Sequence, residues 1–158
     1  MKKIILLFVA FIFANPTFAQ SEQKFSSDDL NGLKIEFASN EDRVYNKETK
    51  EYKTVQLTAL YFWDDKNQYA KIYVDNVEVP SGTHPYYLSD TEEEFFDYSK
   101  VGKPSSGKYI IVAMYDEKTG SKRVSNPIMK IVKISEDEMV ISNSGGVREC
   151  KILEQKKK

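Results

Sequence analysis

The sequence predicts an antiparallel all-β domain, a barrel or a sandwich, and three observations point to it. Apolar and polar side chains alternate along most of the chain, which is the period of a strand rather than of a helix. The alternating segments are rich in Val, Ile, Tyr and Thr, which fit a pleated sheet. Turn-forming residues separate these segments at intervals of roughly 8–12 residues, a spacing typical of sandwiches and barrels and not of a parallel α/β sheet.

The amino-terminal segment predicts export. A short basic start, an apolar stretch too short to cross a bilayer and a small residue before a polar one predict a secretory signal peptide over 1–19, cleaved between Ala19 and Gln20. No cysteine follows the apolar stretch, so the pattern that directs lipid anchoring is missing. We therefore expect a periplasmic or secreted protein with no stable membrane anchor after cleavage. Residues 20–29 predict a flexible lead-in, and residues 155–158 a frayed basic tail.

Residues 30–154 are predicted to form one all-β domain. Cleavage would leave 21 basic and 24 acidic residues, a balance that argues against nucleic-acid binding driven by net charge. The chain has a single cysteine, Cys150, which excludes a framework of disulfides. Cys150 shares a predicted strand face with Ile152, which favours a buried, inert thiol. The alternative is an exposed thiol with a redox role or one that cross-links two chains.

The first half of the domain contains three predicted strands. Leu33, Ile35 and Phe37 share one face of the first strand. The second, 55–63, has the longest alternating face, formed by Val55, Leu57, Ala59, Tyr61 and Trp63. Residues 64–67 predict a turn, and the third strand runs over about 69–79.

The second half repeats this pattern. The predicted strands are 109–115, 122–125 leading to an edge at Pro127, 128–134, 139–142 and 147–153. The apolar run 109–115 is typical of a strand buried on both faces, and residues 116–120 predict a hairpin loop. Residues 90–98 predict either a short helix or a charged edge strand, and acidic residues near a capping position favour the helix.

The sequence contains no recognisable catalytic constellation, metal site or cofactor motif. His84 is the only histidine, which excludes multi-histidine metal sites, and its turn-forming neighbours predict a solvated loop. No nucleophile elbow, Walker loop or dinucleotide fingerprint occurs. Grouped carboxylates such as Asp64 and Asp65 fall in predicted turns, where they remain solvated. We therefore expect a protein that is not an enzyme and needs no cofactor, with carboxylate catalysis as a distant alternative.

Tyrosine is the unusual component, with ten residues in the chain. Five aromatic residues on predicted strands are candidate pocket-lining residues: Tyr61, Trp63, Tyr73, Tyr109 and Tyr115. An aromatic ring with a polar tip suits a ligand cavity, because it offers an apolar body and one hydrogen bond. The alternative is ordinary packing, since tyrosine also has a high strand propensity.

Several short motifs resemble the small exported lipocalin-like (calycin) proteins of bacteria. Residues 30–35 (Leu-Asn-Gly-Leu-Lys-Ile) resemble their opening strand, with Leu33 where the family usually has tryptophan. Residues 60–67 resemble an early barrel hairpin, and 131–141 with 147–152 resemble the closing hairpin and last strand. The resemblance implies an antiparallel barrel of about eight strands with at most one short helix, holding a small apolar ligand and no catalytic residue.

A second resemblance, to bacterial immunoglobulin-like domains, competes with the first. Residues 54–59, 70–76 and 107–113 resemble the B, C and F strands of such a β-sandwich. That match ends near Ile134 and does not account for the hairpin 139–153. The barrel is preferred because it uses the whole chain. The expected function is that of an exported, non-enzymatic lipocalin-like protein that binds a small apolar ligand. The alternative is an immunoglobulin-like module that binds another protein of the cell envelope.

Overall fold

The structure, a computed structural model, describes residues 23–116 and 121–155. The predicted signal peptide over 1–19, its cleavage between Ala19 and Gln20, and the last three residues of the predicted basic tail lie outside the described residues.

Strands dominate the described residues. The elements in chain order are β1 (Phe25–Ser26), α1 (Ser27–Leu30), β2 (Lys34–Asn46), β3 (Glu51–Trp63), β4 (Asn67–Val74), β5 (Val77–Val79), β6 (Thr83–Ser89), a 3-10 turn (Tyr98–Lys100), β7 (Ser106–Gly107), β8 (Tyr109–Asp116), β9 (Ser121–Val124), β10 (Met129–Ile134), β11 (Glu138–Asn143) and β12 (Gly146–Glu154).

Eight of these strands close into an antiparallel barrel in the circular order β2-β3-β4-β6-β8-β10-β11-β12. Ile35 of β2 pairs with Ile152 of β12, which joins the first barrel strand to the last. Ile110 of β8 pairs with Met129 of β10, which closes the opposite side. The predicted all-β barrel is therefore confirmed. The immunoglobulin-like sandwich is wrong, because a sandwich of two sheets lacks this continuous circuit of paired strands.

The barrel interior is the main hydrophobic core. Its buried members are Phe25, Leu30, Leu33, Ile35, Trp63, Tyr86, Leu88, Ile110, Val112, Ile131, Met139, Ile141 and Cys150. Alternation along each strand places these side chains inside and their neighbours outside. On β3, Val55, Ala59 and Trp63 are buried, as expected for the longest alternating face.

The amino-terminal segment closes one end of the barrel. The side chains of Leu30 and Leu33 are completely buried there, and Phe25 packs in the same cluster. The Asp29 carboxylate accepts a hydrogen bond from the Ser26 backbone N–H at 2.8 Å, which caps α1. The predicted flexible lead-in over 20–29 is therefore wrong from residue 25 onward. Although the composition of this segment is polar, the buried Phe25 ring and the cap formed by Asp29 hold it in place.

A second apolar layer covers part of the barrel from outside. Tyr87, Ile111 and Ala113 face outward from β6 and β8 and pack against Phe96. Ile110 and Val112 face the interior, so β8 is buried on both faces as its apolar run predicts.

The segment that supplies this layer is neither the helix nor the edge strand predicted over 90–98. It is irregular, with a bridge from Phe95 to Arg123 and the 3-10 turn at its end. The Phe96 ring lies 5.0 Å from the Tyr87 ring, and the Tyr87 hydroxyl accepts the Asp97 N–H at 3.2 Å. These tertiary contacts override the local preference for a helix.

Two further predictions differ from the structure. The single strand over 69–79 is the hairpin of β4 and β5, because Asp75 and Asn76 adopt positive φ angles of 50° and 65° and form a two-residue turn. His84, predicted in a solvated loop, lies half-buried in β6 opposite Gln68 of β4.

Candidate functional site

The structure does not bring the five candidate aromatic residues into one cavity. Tyr61 and Trp63 face the barrel interior from β3, with their ring centroids 6.3 Å apart. Tyr73 and Tyr109 face outward on different sides of the barrel. Tyr73 lies on β4, and Tyr109 packs in the outer apolar layer. Tyr115 lies in β8, and its side chain is outside the described part of the structure.

The barrel interior around Tyr61 and Trp63 is packed and apolar. Burial, with a further contribution from nearby Cys150, raises the pKa of the Tyr61 hydroxyl. Burial alone raises the pKa of the Cys150 thiol to about 11, so the thiol is protonated and unreactive at neutral pH. The predicted burial of Cys150 is confirmed, because its side chain is completely buried in the structure.

Two polar atoms in this interior lack hydrogen-bond partners among the described residues. They are Nε1 of Trp63 and Oε1 of Gln68, which belong to residues directly opposite each other on β3 and β4. The indole N–H is a donor and the amide oxygen an acceptor.

A cleft of about 500 Å³ lies on the outside of the barrel, across β2, β3 and β4. We call it the outer cleft. It is lined by Gly32, Leu33, Lys34, Leu60, Phe62, Trp63, Lys71, Tyr73 and Glu154. Two of the candidate residues, Trp63 and Tyr73, therefore border the outer cleft. Most of the Trp63 side chain lies in the hydrophobic core behind the cleft.

The apolar part of the outer cleft comes from β3. Leu60 and Phe62 point outward there, on the face opposite the buried one. The Phe62 ring is stacked on the ring of Tyr69, with centroids 4.5 Å apart and planes within 2°. This stacking fixes the Phe62 ring as a preformed wall. The signal for this surface was in the sequence, because two large apolar residues interrupt the otherwise polar face of β3.

Charged groups lie at the border of the outer cleft. Lys34 Nζ is 3.0 Å from the Glu154 carboxylate, a close ion pair. Lys71 Nζ is 4.0 Å from the Glu78 carboxylate, at the limit of an ion pair, and its side chain is half exposed. Because Lys71 pairs in register with Leu60, its ammonium group is placed to meet an anionic end of a molecule whose body lies on the apolar surface.

A larger groove of about 780 Å³ lies on another side, next to β9 and β10. Its lining mixes apolar and charged side chains, the charged ones being Glu92, Glu94, Arg123 and Lys130. Lys130 Nζ lies 6.0 Å from the centroid of the Tyr109 ring. Of the five candidate aromatic residues, only Tyr109 lines this groove, whereas Trp63 and Tyr73 both line the outer cleft.

Asp64, one of the grouped carboxylates, has structural partners. Asp64 accepts hydrogen bonds from the Tyr69 hydroxyl at 2.6 Å and from the backbone N–H groups of Lys66 and Asn67. Burial opposes this effect, but the hydrogen bonds together lower the pKa of Asp64. Asp64 therefore stays ionised and fixes the turn between β3 and β4. Over residues 23–116 and 121–155, no group of three or more His, Cys, Asp or Glu side chains is placed to hold a metal ion.

Comparison with protein-family models, with curated proteins and with solved structures finds no match to this chain. In the part of the chain that the structure describes, no helix is both long and apolar enough to cross a membrane.

Proposed function

We propose that this protein is an exported, non-enzymatic binding protein with a lipocalin-like barrel, and that its outer cleft holds a small apolar ligand with an anionic end. The observation that carries the proposal is the outer cleft itself. Its volume of about 500 Å³ lies within the range of small-molecule sites, and its apolar wall is preformed.

The lining of the outer cleft supports this ligand class. Leu60 and Phe62 offer an apolar surface for the body of the ligand, and Tyr73 adds an aromatic ring at the side. Lys71, with its loosely held acidic partner, offers a positive charge for the polar end. The buried core inside the barrel supports this wall from behind.

The proposed location follows from the amino-terminal segment. A cleaved signal peptide without an anchoring cysteine would place the mature protein in the periplasm or outside the cell. There it would bind or carry its ligand without chemical conversion of it.

The direct test is native mass spectrometry of the protein purified from its own cell envelope, followed by denaturing extraction. We expect an excess mass at a ratio near one to one that is released on unfolding and identifies the ligand. An apo mass, together with failure of every ligand in the fluorescence test below, would contradict the proposal.

The second test uses the fluorescence of Trp63, the only tryptophan of the chain, which borders the outer cleft. Titration with a panel of lipids, fatty acids and aromatic carboxylates should change its emission for at least one class. Leu60→Glu puts a carboxylate into the cleft beside Lys71 and should weaken binding about tenfold or more, because the ligand would have to bury that charge.

The matched control is Val132→Glu on β10, which is 46 % exposed and lies outside the outer cleft. It introduces the same side chain at an exposed apolar position and should leave binding unchanged. Equal losses in the two variants would place the ligand somewhere other than the outer cleft.

A further inference from the structure

The apolar wall of the outer cleft is one ring of a stacked pair that runs across two strands. Phe62 of β3 lies directly opposite Tyr69 of β4, with the ring centroids 4.5 Å apart and the planes within 2°. Neighbouring strands of a sheet are about 4.8 Å apart, so the rings are stacked along the direction from one strand to the next. Two parallel rings at this distance overlap face to face, because side by side their edges would collide. The rings therefore stand out from the sheet, and each covers one face of the other.

The second face of the Phe62 ring points away from Tyr69, toward β2 and into the outer cleft. Phe62 lines the cleft, as do Gly32 and Lys34 on the β2 side, whereas Tyr69 does not. Lys34 lies opposite Phe62 on β2, but its ammonium group is 3.0 Å from the carboxylate of Glu154. Glu154 belongs to β12, which borders β2 on the side away from β3, so this ion pair draws the Lys34 side chain away from the ring. Gly32 has no side chain to fill the space, and the second face of Phe62 is therefore open.

Hydrogen bonds hold this stack in place from its far end. The Tyr69 hydroxyl donates to the Asp64 carboxylate at 2.6 Å. The same carboxylate accepts the backbone N–H groups of Lys66 and Asn67 at 2.7 and 2.6 Å, so the acceptor is itself fixed by the turn between β3 and β4. A wall fixed in advance loses little conformational entropy on binding, and the same holds for a rigid flat ligand but not for a flexible chain.

The charges of the lining determine a second property of the ligand. The lining holds two lysines, Lys34 and Lys71, and one acid, Glu154, so its net charge is +1 (two positive, one negative). Glu154 neutralises Lys34, whereas Lys71 has only Glu78 at 4.0 Å, the limit of an ion pair. Lys71 lies opposite Leu60 on the outer face of the sheet, beside the apolar wall. A ligand with one carboxylate therefore complements the charge of the lining.

We propose that the ligand of the outer cleft is a planar aromatic carboxylate whose ring stacks on the open face of Phe62, as the third ring of a stack that begins at Tyr69. This inference rests on the proposed function, which names only a small apolar ligand with an anionic end. It narrows the ligand to a flat ring, and it excludes a saturated ring or an acyl chain as the preferred ligand.

A matched pair of probes tests the stacking. Naphthalene carboxylate and decalin carboxylate have the same carbon skeleton and the same charge, but only the first is flat and aromatic. We expect isothermal titration calorimetry to show naphthalene carboxylate binding about fivefold tighter, because aromatic stacking contributes beyond the burial of apolar area. Equal or tighter binding of decalin carboxylate, or binding of fatty acids but of neither probe, would refute the stacking and leave the proposed function standing. If no ligand of the whole panel binds, the proposed function fails as well.

Removing the Phe62 ring should remove this preference. Phe62→Leu keeps an apolar side chain, so the preference, measured as the ratio of the two dissociation constants, should fall about fivefold while decalin carboxylate binds nearly as before. The matched control is Phe95→Leu, the same substitution at a phenylalanine that is 67 % exposed and lies outside the outer cleft. It should leave the preference unchanged. An equal fall in the two variants would place the ligand ring elsewhere and overturn the proposal.

Tyr69 is a positioning residue in this arrangement, because it holds the Phe62 ring but does not border the outer cleft. Tyr69→Leu should lower the preference, since the Phe62 ring is then free to turn, and Tyr69→Phe, which keeps the stacked ring, should retain most of it. A role of Tyr69 in stability alone would weaken the binding of both probes equally and leave their ratio unchanged. An unchanged ratio in Tyr69→Leu would therefore contradict the three-ring stack.

Discussion

The thiol of Cys150 provides the sharpest test of the barrel core. The perturbation is the addition of an aromatic disulfide reagent to the native protein at pH 8. Because burial raises the pKa of this thiol to about 11, its thiolate fraction at pH 8 is about 0.001. That is roughly 200-fold below the fraction for an ordinary thiol with a pKa near 8.5.

Burial also blocks access to the sulfur, and this effect is the larger one; the two do not multiply, because a thiol exposed by opening of the barrel has an ordinary pKa. Cys150 is 0 % exposed and lies on β12 opposite Met139, which is also completely buried. The reagent can reach the sulfur only when the barrel opens. For a domain of ordinary stability this opening slows the reaction by at least about 10⁴-fold.

The assay compares labelling rates of the native and the urea-unfolded protein. The unfolded chain should react with one equivalent within seconds, and the native chain over hours or longer. Val147→Cys is the control, because residue 147 lies on the same strand and its native side chain is 67 % exposed. That variant should show one fast equivalent in the native state. Native Cys150 reacting as fast as this control would refute the packed core and favour a redox role.

Two further predictions concern stability. In Gly107→Ala the added Cβ would lie 2.2 Å from the carbonyl carbon and oxygen of Ser89, so we expect the free energy of unfolding in urea to fall by about 3 kcal/mol or more. The control Gly145→Ala should change it little. Equal effects of the two substitutions would contradict the close contact between Gly107 and Ser89. Burial alone would raise the pKa of Glu93. Hydrogen bonds, of which the one donated by the Tyr87 hydroxyl has the largest effect, instead lower this pKa below its ordinary value of 4.5. Its contribution to stability is therefore present above pH 4.5 and lost as the pH falls through the folded-state pKa, and Glu93→Gln should flatten this decline in unfolding measured from pH 3 to 7.

The strands that could be predicted are those whose alternation is uninterrupted. On β3, burial of Val55, Ala59 and Trp63 follows the two-residue period, and the apolar run of β8 correctly indicated burial on both faces. Such patterns report directly which side of a strand faces the core. The barrel was predicted over the sandwich because only the barrel accounts for the last hairpin, 139–153.

The elements that were not predicted depend on distant contacts or on short turn signals. β6 was missed because His84 and Pro85 are typical of turns, although Tyr86, Tyr87 and Leu88 are all buried in the structure. The strand conformation of β6 depends on its pairing with β4 and β8, which the local sequence does not reveal. The turn at Asp75 and Asn76 was missed because it consists of only two residues within a long alternating segment. Both residue types nevertheless favour the positive φ angles that they adopt.

The candidate site was only partly accessible to sequence reasoning. The tyrosine content and Trp63 were recognised, but the face to which each ring points depends on the register of its strand. The outer cleft became visible only when β2, β3 and β4 were placed side by side. Residues such as Lys34 and Glu154 are neighbours only because the barrel closes.

The closure between β2 and β12 sets the order in which this chain can fold. Lys34 and Glu154, joined across that seam, are separated by 120 positions in the sequence. A growing chain therefore cannot complete its circuit of paired strands until β12 has been synthesised. Contacts of such long range also make folding slow, because much of the loop entropy is lost before the final pairs form. The closed barrel should consequently form only after β12 has been synthesised.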